Sequence, residues 1–538
     1  MDPLGLTSVV AKDFVETMTR KPKKARRNLR AQSTATADCE ARRALSTTQL
    51  AFVFLCIASA VSIVLHFSVD KFPDPDVFYH FRHAELYAST SEIFRTDFPW
   101  VHYSVISKLS SDLWYGFHVL IIPFTLVGDR ILGMQLAGTF VTILFLISFY
   151  AACIRLKINP ALFWPFFLLF SSAFLLHRLG MLRPQVLSLG LSSLLFALLA
   201  TASVWGVFLA TLASTFLHLN FFFVSLLVVG VFTIVKIFTE KLLPWRECIA
   251  LLGGVLAGWI LRPNPMGAAR ILYTQLVQLT VEKIGGSPLD LAAEMSPLKL
   301  KANSNYMFLI VLLLFSLSWM LWKCRKGPAL SGPSRTIFIT LAALSIIFFL
   351  LSVFFARRAF DFCSGFGVLF IGLVFSNYFY RNWPARLFLV CAFLVLALYG
   401  LNLRNQVLSV GWEPNRFEST AKWIADNSNR GEIVFNARWE YFPELFFWNT
   451  KNVYSNGMDP IFQYAYDPDL FRAGHDLVTG QLGSPGFPDS YQVLKERFNA
   501  RYVFLAKPFD DSLYLRLSAD PRFSLRKENQ YSVVFEVN

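Results

Sequence analysis

The sequence predicts a polytopic α-helical membrane protein, with about 11 transmembrane helices and a C-terminal extracytoplasmic α/β domain. Three observations carry this. The 538 residues are 55% hydrophobic, with mean hydropathy +0.47, above the roughly 45–50% of soluble domains. The excess is gathered into runs of spanning length, about 17–25 residues. The composition then turns polar after about residue 404.

Taken in order, residues 1–48 form a polar tail, with seven basic residues and no acid between 20 and 30. Such a run suits a cytoplasmic tail lying against anionic head groups. It is too long and polar for the start of a cleaved signal peptide. The transmembrane domain occupies 49–403. Its runs lie at 49–69, 131–153, 161–177, 184–200, 203–218, 220–238, 247–262, 305–322, 336–356, 362–380 and 387–403. A further apolar piece, 111–128, reads as a helix lying on or dipping into the membrane. With the tail inside and 111–128 not spanning, the inner loops 155–157, 236–246, 323–335 and 381–386 are all basic, as the positive-inside tendency requires. The outer side then receives loops 70–130 and 263–304, the turn 177–183, the Arg357-Arg358 pair and the domain 404–538.

That domain alternates helical stretches, 417–427 and 491–498, with strand candidates at 432–435, 501–506 and 531–537. Turn signals at 429–431, 456–457 and 483–488 separate them. Seven scattered cysteines, none in this domain, indicate neither a disulfide framework nor a cysteine metal site. No phosphate loop, dinucleotide fingerprint or zinc signature appears. The net charge of +14 is patterned by side, so nucleic acid is a poor partner.

The chemistry falls on the outer side. Residues 71–89, KFPDPDVFYHFRHAELYAS, crowd Asp74, Asp76, Tyr79, His80, Arg82 and Glu85 against the first apolar run. Ionisable groups at a membrane boundary are costly and usually functional. Pro75 disfavours helix at Asp74, and Asp76 can cap a helix starting near Val77. A carboxylate here can also act as a general base or bind a divalent metal. Glu294 stands in the long loop within LAAEMSP, after a Gly285-Gly286-Ser287 hinge suited to a loop that orders over substrate. His177, Arg178 and Arg183 share one outer turn. Arg262, Arg357 and Arg358 end helices on the same face, where a planar fork matches phosphate and a plainer role is anchoring to head groups.

The string Asp76-Val77-Phe78-Tyr79-His80-Phe81-Arg82 resembles the first-loop acidic motif of oligosaccharyltransferase catalytic subunits, which are C-type (GT-C) glycosyltransferases. The resemblance implies a GT-C-like enzyme that moves a sugar or glycan from a polyprenyl-phosphate-linked donor to a glycan, lipid or protein acceptor. The bilayer would be a bacterial inner (plasma) membrane or an ER membrane, with the site on the extracytoplasmic or lumenal face. It implies Asp76 as catalytic residue and metal ligand, with Asp74 and Glu294 as further acids and Glu294 a second ligand. His80, Arg82, His177, Arg178, Arg183, Arg262, Arg357 and Arg358 would contact substrate. Trp439, in Asn436-Ala437-Arg438-Trp439-Glu440-Tyr441, is faintly similar to the family's acceptor-reading signature and is more readily read as a core tryptophan. The acids of the family's second outer loop are missing here, which leaves a divalent metal (magnesium or manganese) and a metal-independent mechanism both open. A transporter or flippase and a non-enzymatic scaffold are the rival classes.

Overall fold

The computed structural model describes residues 46–68, 70–90, 93–94, 96–300, 306–326, 332–480 and 489–538. The basic run at 20–30, part of the 323–335 loop and the 483–488 turn lie outside them. The chain divides into two compact units between Ile57 and Ala58. The described part of the first opens the Thr47–Phe67 helix, and the second holds everything discussed below.

The protein is a multi-pass integral membrane protein. Among the described residues, seven helices are long and apolar enough to cross a membrane: Thr47–Phe67, Arg130–Arg155, Leu219–Glu240, Tyr306–Arg325, Gly332–Phe354, Ala359–Phe379 and Trp383–Ser409. An eighth crossing is available if Ala173–Leu179 and Pro184–Ala200, bent by 115°, count as one broken span. This is fewer than the 11 apolar runs suggest, because hydropathy does not register backbone breaks. The 161–177 run splits at Ser172, which is extended. The 203–218 run is a 14-residue helix ended by His218. The 247–262 run gives 16 helical residues, Trp245–Ile260. The ambiguous 111–128 piece holds an 11-residue helix, Tyr115–Thr125, about 16 Å long at 1.5 Å per residue and too short to span.

Ala359–Phe379 is the most buried span. It packs on Gly332–Phe354 through stacked rings, Phe348 lying 5.1 Å from Phe362 and 5.6 Å from Phe366. In contrast Leu387, Phe388, Leu394, Val395 and Leu398 of Trp383–Ser409 face outward, as lipid-facing side chains do. Gly254 of Trp245–Ile260 sits so close to Thr211 and the Phe208 carbonyl that a Cβ would clash. That absence of a side chain lets two helices touch backbone to backbone.

The last span runs to Ser409, so the α/β domain starts a few residues later than 404. It holds one five-stranded sheet of β1 (Ile433–Asn436), β2 (Val453–Tyr454), β3 (Ala500–Ala506), β4 (Phe523–Glu528) and β5 (Ser532–Val537). Their order is β2-β1-β3-β5-β4. β1 pairs parallel with β2 and β3, whereas β5 pairs antiparallel with β3 and β4. Three strands lie where the alternation places them. β2 has two residues and β4 is largely exposed and charged, so neither shows an apolar pattern.

Backbone bonds tie the first outer loop to this domain. Phe72 and Trp412 exchange N–H to carbonyl bonds of 2.9 and 2.8 Å. Tyr454 donates to the Trp100 carbonyl and accepts from the His102 N–H, so residues 100–102 cover the free edge of β2. Phe98 and Trp100 pack on Phe446 at 5.2 and 5.3 Å. The first loop and the C-terminal domain therefore share one side of the membrane domain.

Candidate active site

Pro75 and the following helix Asp76–Thr90 set the first wall. Residues three and four apart share a helix face, so Asp76, Tyr79 and His80 look the same way, and His83 and Tyr87 continue that face inward. The second wall is the break between Ala173–Leu179 and Pro184–Ala200. Arg183 there is extended, and Pro184 starts the next helix, where its missing N–H costs nothing. The third wall is the long loop. It opens with Pro265–Tyr273, continues through Leu279–Gly285 and turns at Gly286, whose φ is +77°. The loop then lies along the start of the central span. Arg358 N–H donates to the Glu294 carbonyl, Arg357 N–H to that of Ser296, and Leu298 N–H to that of Ser352.

These walls bring six of the sequence-predicted residues into one ion-pair network. Arg183 donates to both oxygens of Asp74, at 2.6 Å to Oδ1, to Asp76 Oδ2 at 2.7 Å and to Glu294 Oε1 at 3.1 Å. Arg178 holds Glu294 Oε2 at 2.5 Å and Asp361 Oδ2 at 3.2 Å. Arg358 stands farther off, 4.0 Å from Glu294, with its guanidinium over the Phe221 ring. Asp76 thus spends its carboxylate on Arg183 rather than on capping its helix.

Two cavities flank the network. One, about 840 Å³, is lined by Asp76, Tyr79, His80, His218, Arg358 and Asp459 among others. The other, about 870 Å³, is lined by Asp74, His177, Arg178, Arg357, Asp361 and Glu440 among others. Asp76, Arg183, Glu294, Arg358 and Trp439 border both. Trp439 is only half-buried and donates to the Asp290 carbonyl, so it is a cavity wall rather than a core tryptophan.

Two predicted residues lie elsewhere. Arg262 is buried, and its guanidinium donates to the carbonyls of Asp112, Leu113, Thr215 and Phe216. Both terminal nitrogens of this cation are taken up by four carbonyls, which ties helix ends together; only its buried Nε–H is without a partner among the described residues. Arg82 pairs with Glu85 and reaches Thr450 Oγ1. Both lined up in sequence with the outer Arg set, but helix phase turns Arg82 away from Asp76.

Electrostatics separate the acids. Burial raises Asp76; Arg183 opposes it, and Asp74, Glu294 and Asp459 add to it, leaving the group at about 7. Burial also pushes Glu294 up, but Arg178, Arg183 and Arg358 outweigh it and hold it well below the usual carboxylate range. Burial lifts Asp459 to about 6. One acid is therefore poised near neutrality beside another that stays ionised.

In this arrangement the Arg183 guanidinium bridges Asp76 and Glu294. His83, Asp112 and His118 form the metal-type cluster found among the described residues. Asp112 there already accepts three hydrogen bonds: Oδ1 from the Trp114 N–H at 2.8 Å, and Oδ2 from the Tyr87 hydroxyl at 3.0 Å and from His118 Nδ1–H at 2.6 Å. That donor set is a hydrogen-bond relay.

Sequence reasoning missed Asp361, Asp459, Gln275, which lines the first cavity and hydrogen-bonds Asp459, and this relay. An acid in or at the edge of an apolar run, as Asp112 is in 111–128 and Asp361 is beside 362–380, was the available signal. Asp459 caps the helix Pro460–Tyr464, and an Asp before Pro carries only a cap signal. Gln275 and His118 carry none.

By sequence, no family model and no curated protein matches the chain. Among solved structures it is similar to ArnT from Cupriavidus metallidurans bound to undecaprenyl phosphate, with a TM-score of 0.53 at 12% identity over 92% of this chain and 99% of that one. The apo state of ArnT gives 0.53 at 13% identity over 91% and 98%. The arabinofuranosyltransferase AftD from Mycobacteria gives 0.50 at 13% identity over 92% of this chain and 42% of the larger protein. Over more than nine-tenths of its length the chain thus has a GT-C-like fold, shared with these structures.

Proposed function

We propose that the protein transfers a sugar or glycan from a polyprenyl-phosphate-linked donor to an acceptor hydroxyl or amide, on the extracytoplasmic or lumenal face of its membrane. The observation that carries this is the pair of cavities meeting at Asp76, in a fold whose structural neighbour ArnT is bound to undecaprenyl phosphate.

In this reading Asp76 is the general base. Its carboxylate takes the acceptor proton as the acceptor attacks the anomeric carbon. The bond from that carbon to the phosphate oxygen breaks, and its electrons leave with the lipid phosphate. A base with a pKa near 7 suits this task. Arg183, held by Asp74 and Glu294, fixes the Asp76 carboxylate. Arg358 and Arg357, the cavity cations less engaged with carboxylates, supply donors to the departing phosphate. Arg178 and Arg183 are too heavily paired to be its first contacts. Trp439 closes the site from the α/β domain on the acceptor side. Arg183 in the cation position favours transfer without a divalent metal.

Purified protein incubated with a panel of labelled polyprenyl-phosphate sugars, with and without chelator, tests the reading. Transfer to water or to an added acceptor that survives chelation and vanishes in Asp76→Asn is the expected result. No turnover of any donor by the wild type would sink it.

A further inference from the structure

Away from the ion pairs, the cavity beside Asp76 has a second polar wall, made of Asn220, Gln275 and Asp459. Three parts of the chain supply it. Asn220 lies in the turn Leu219–Phe221, at the head of the span Leu219–Glu240. Gln275 belongs to the Glu294 loop, in the π-helical turn Thr274–Gln278. Asp459 caps Pro460–Tyr464 in the α/β domain, its Oδ1 accepting the Ile461 N–H at 3.3 Å. The wall has an order. Asp459 is ionised at neutral pH, burial lifting it only to about 6, and an ionised carboxylate only accepts. Gln275, hydrogen-bonded to it, therefore donates through Nε2. Its Oε1 then accepts from Asn220 Nδ2, and Asn220 Oδ1 ends the row. That oxygen is buried without a partner among the described residues, on a side chain that borders the cavity. A buried acceptor left unpaired is costly and calls for an explanation.

We infer that Asn220 Oδ1 accepts a hydrogen bond from one hydroxyl of a carbohydrate ring seated beside Asp76, which makes Asn220 a specificity-determining residue. The chemistry of the cavity selects this ligand. An ionised phosphate offers only acceptors and cannot satisfy the oxygen, whereas a hydroxyl can. Tyr79, Trp114, Phe221 and Phe462 line the same space and offer an apolar surface to the C–H faces of the ring. Apolar walls with a few placed polar groups are what small-ligand sites are made of. The oxygen is also held in place. Gln275 fixes the amide from one side, and the neighbouring Phe221 stacks on Phe362 at 5.5 Å. A sugar lacking that hydroxyl leaves the oxygen buried and unpaired, so it binds about 5- to 150-fold more weakly. The inference rests on the proposed transferase reading for its carbohydrate, and deepens it by naming a side chain that reads the ring.

The test uses the full-length protein in nanodiscs and two ligand series. One is undecaprenyl-phosphate hexoses and pentoses, the other the free methyl glycosides, each with its single-position deoxy analogues. Binding is read by ligand-detected NMR titration, and turnover by transfer of a labelled sugar. Wild type should bind one parent sugar about 5- to 150-fold more tightly than one of its deoxy analogues. In Asn220→Leu that difference should vanish, the parent falling to the level of the analogue, while the other deoxy positions keep theirs. Discrimination in the lipid-linked series assigns the hydroxyl to the donor, and discrimination in the glycosides alone assigns it to the acceptor. A difference that survives Asn220→Leu, or a loss spread equally over the parent and every analogue, overturns the proposal. A wild type that binds the parent and all analogues alike, or binds neither series, overturns it without any variant. If Asn220→Leu does not fold, Asn220→Ala serves for the same comparison. Asn220-dependent discrimination in a protein that turns over no donor would leave this inference standing and refute the transferase reading alone. Turnover without such discrimination would do the reverse.

Discussion

Asp76 and Arg358 separate two jobs that the outer-loop charges share. With its pKa raised to about 7, Asp76 is a charged base above that pH and a neutral acid below it. The rate of transfer at subsaturating substrate should rise about tenfold per pH unit below 7 and level off above it, in a profile Asp76→Asn abolishes along with about a hundredfold or more of the rate. Arg358→Gln should weaken donor binding by about 10- to 150-fold, the loss of one charge-assisted bond of roughly 1.5–3 kcal/mol, read as a raised donor KM with little change in thermal unfolding. Arg183→Gln should behave differently. It leaves Asp74, Asp76 and Glu294 without their shared partner, and breaking a buried pair costs about 3–5 kcal/mol. A lowered Tm together with lost activity is expected; a variant as stable as wild type would show that the network does not hold the site together. At this scale the sequence was legible for residue type and for which residues share a side: Asp74, Asp76, Arg178, Arg183, Glu294 and Arg358 meet in one place. It was not legible for who pairs with whom. Arg262 and Arg183 look alike in sequence, yet one is spent on carbonyls and the other on carboxylates, which only the tertiary path of the helices decides.

Among the elements, the loop that carries Glu294 depends on one glycine. Gly286 closes Leu279–Gly285 in the left-handed region, with open space where a Cβ would stand. Gly286→Ala therefore pays only backbone strain, about 1–2 kcal/mol, and that strain falls on the loop. Transfer should slow several-fold with little change in Tm, and Gly286→Asn, which tolerates this conformation, should recover most of it. Equal rates for Gly and Ala would mean the loop keeps its path without the turn. The helix Asp76–Thr90 was readable from Pro75 and the acid that follows, and three strands from their alternation. The turn at His218 was readable where the runs 203–218 and 220–238 divide, but the break at Ser172 was not, since apolar residues run through it and the hydropathy of the run is unchanged by a kink.

For the whole molecule, backbone bonds and the ion network place the first loop, the Glu294 loop and the α/β domain on one face. The basic loops predict that this face lies outside. Cysteines introduced at exposed positions such as Asp469 or Asp511 should react with an impermeant reagent from the extracytoplasmic side only; labelling from the cytoplasm would invert the scheme. The covered edge of β2 has a further consequence, for fragments. The opposite edge, β4, protects itself with Arg526, Lys527 and Glu528, as solitary edges do. The β2 edge has no such charges and relies on residues 100–102, more than 300 positions upstream in the chain. Released from the membrane domain near residue 410, the α/β domain would bare that edge together with the Phe446 ring that Phe98 and Trp100 cover. It should self-associate by light scattering at concentrations where a fusion to residues 96–104 stays monomeric.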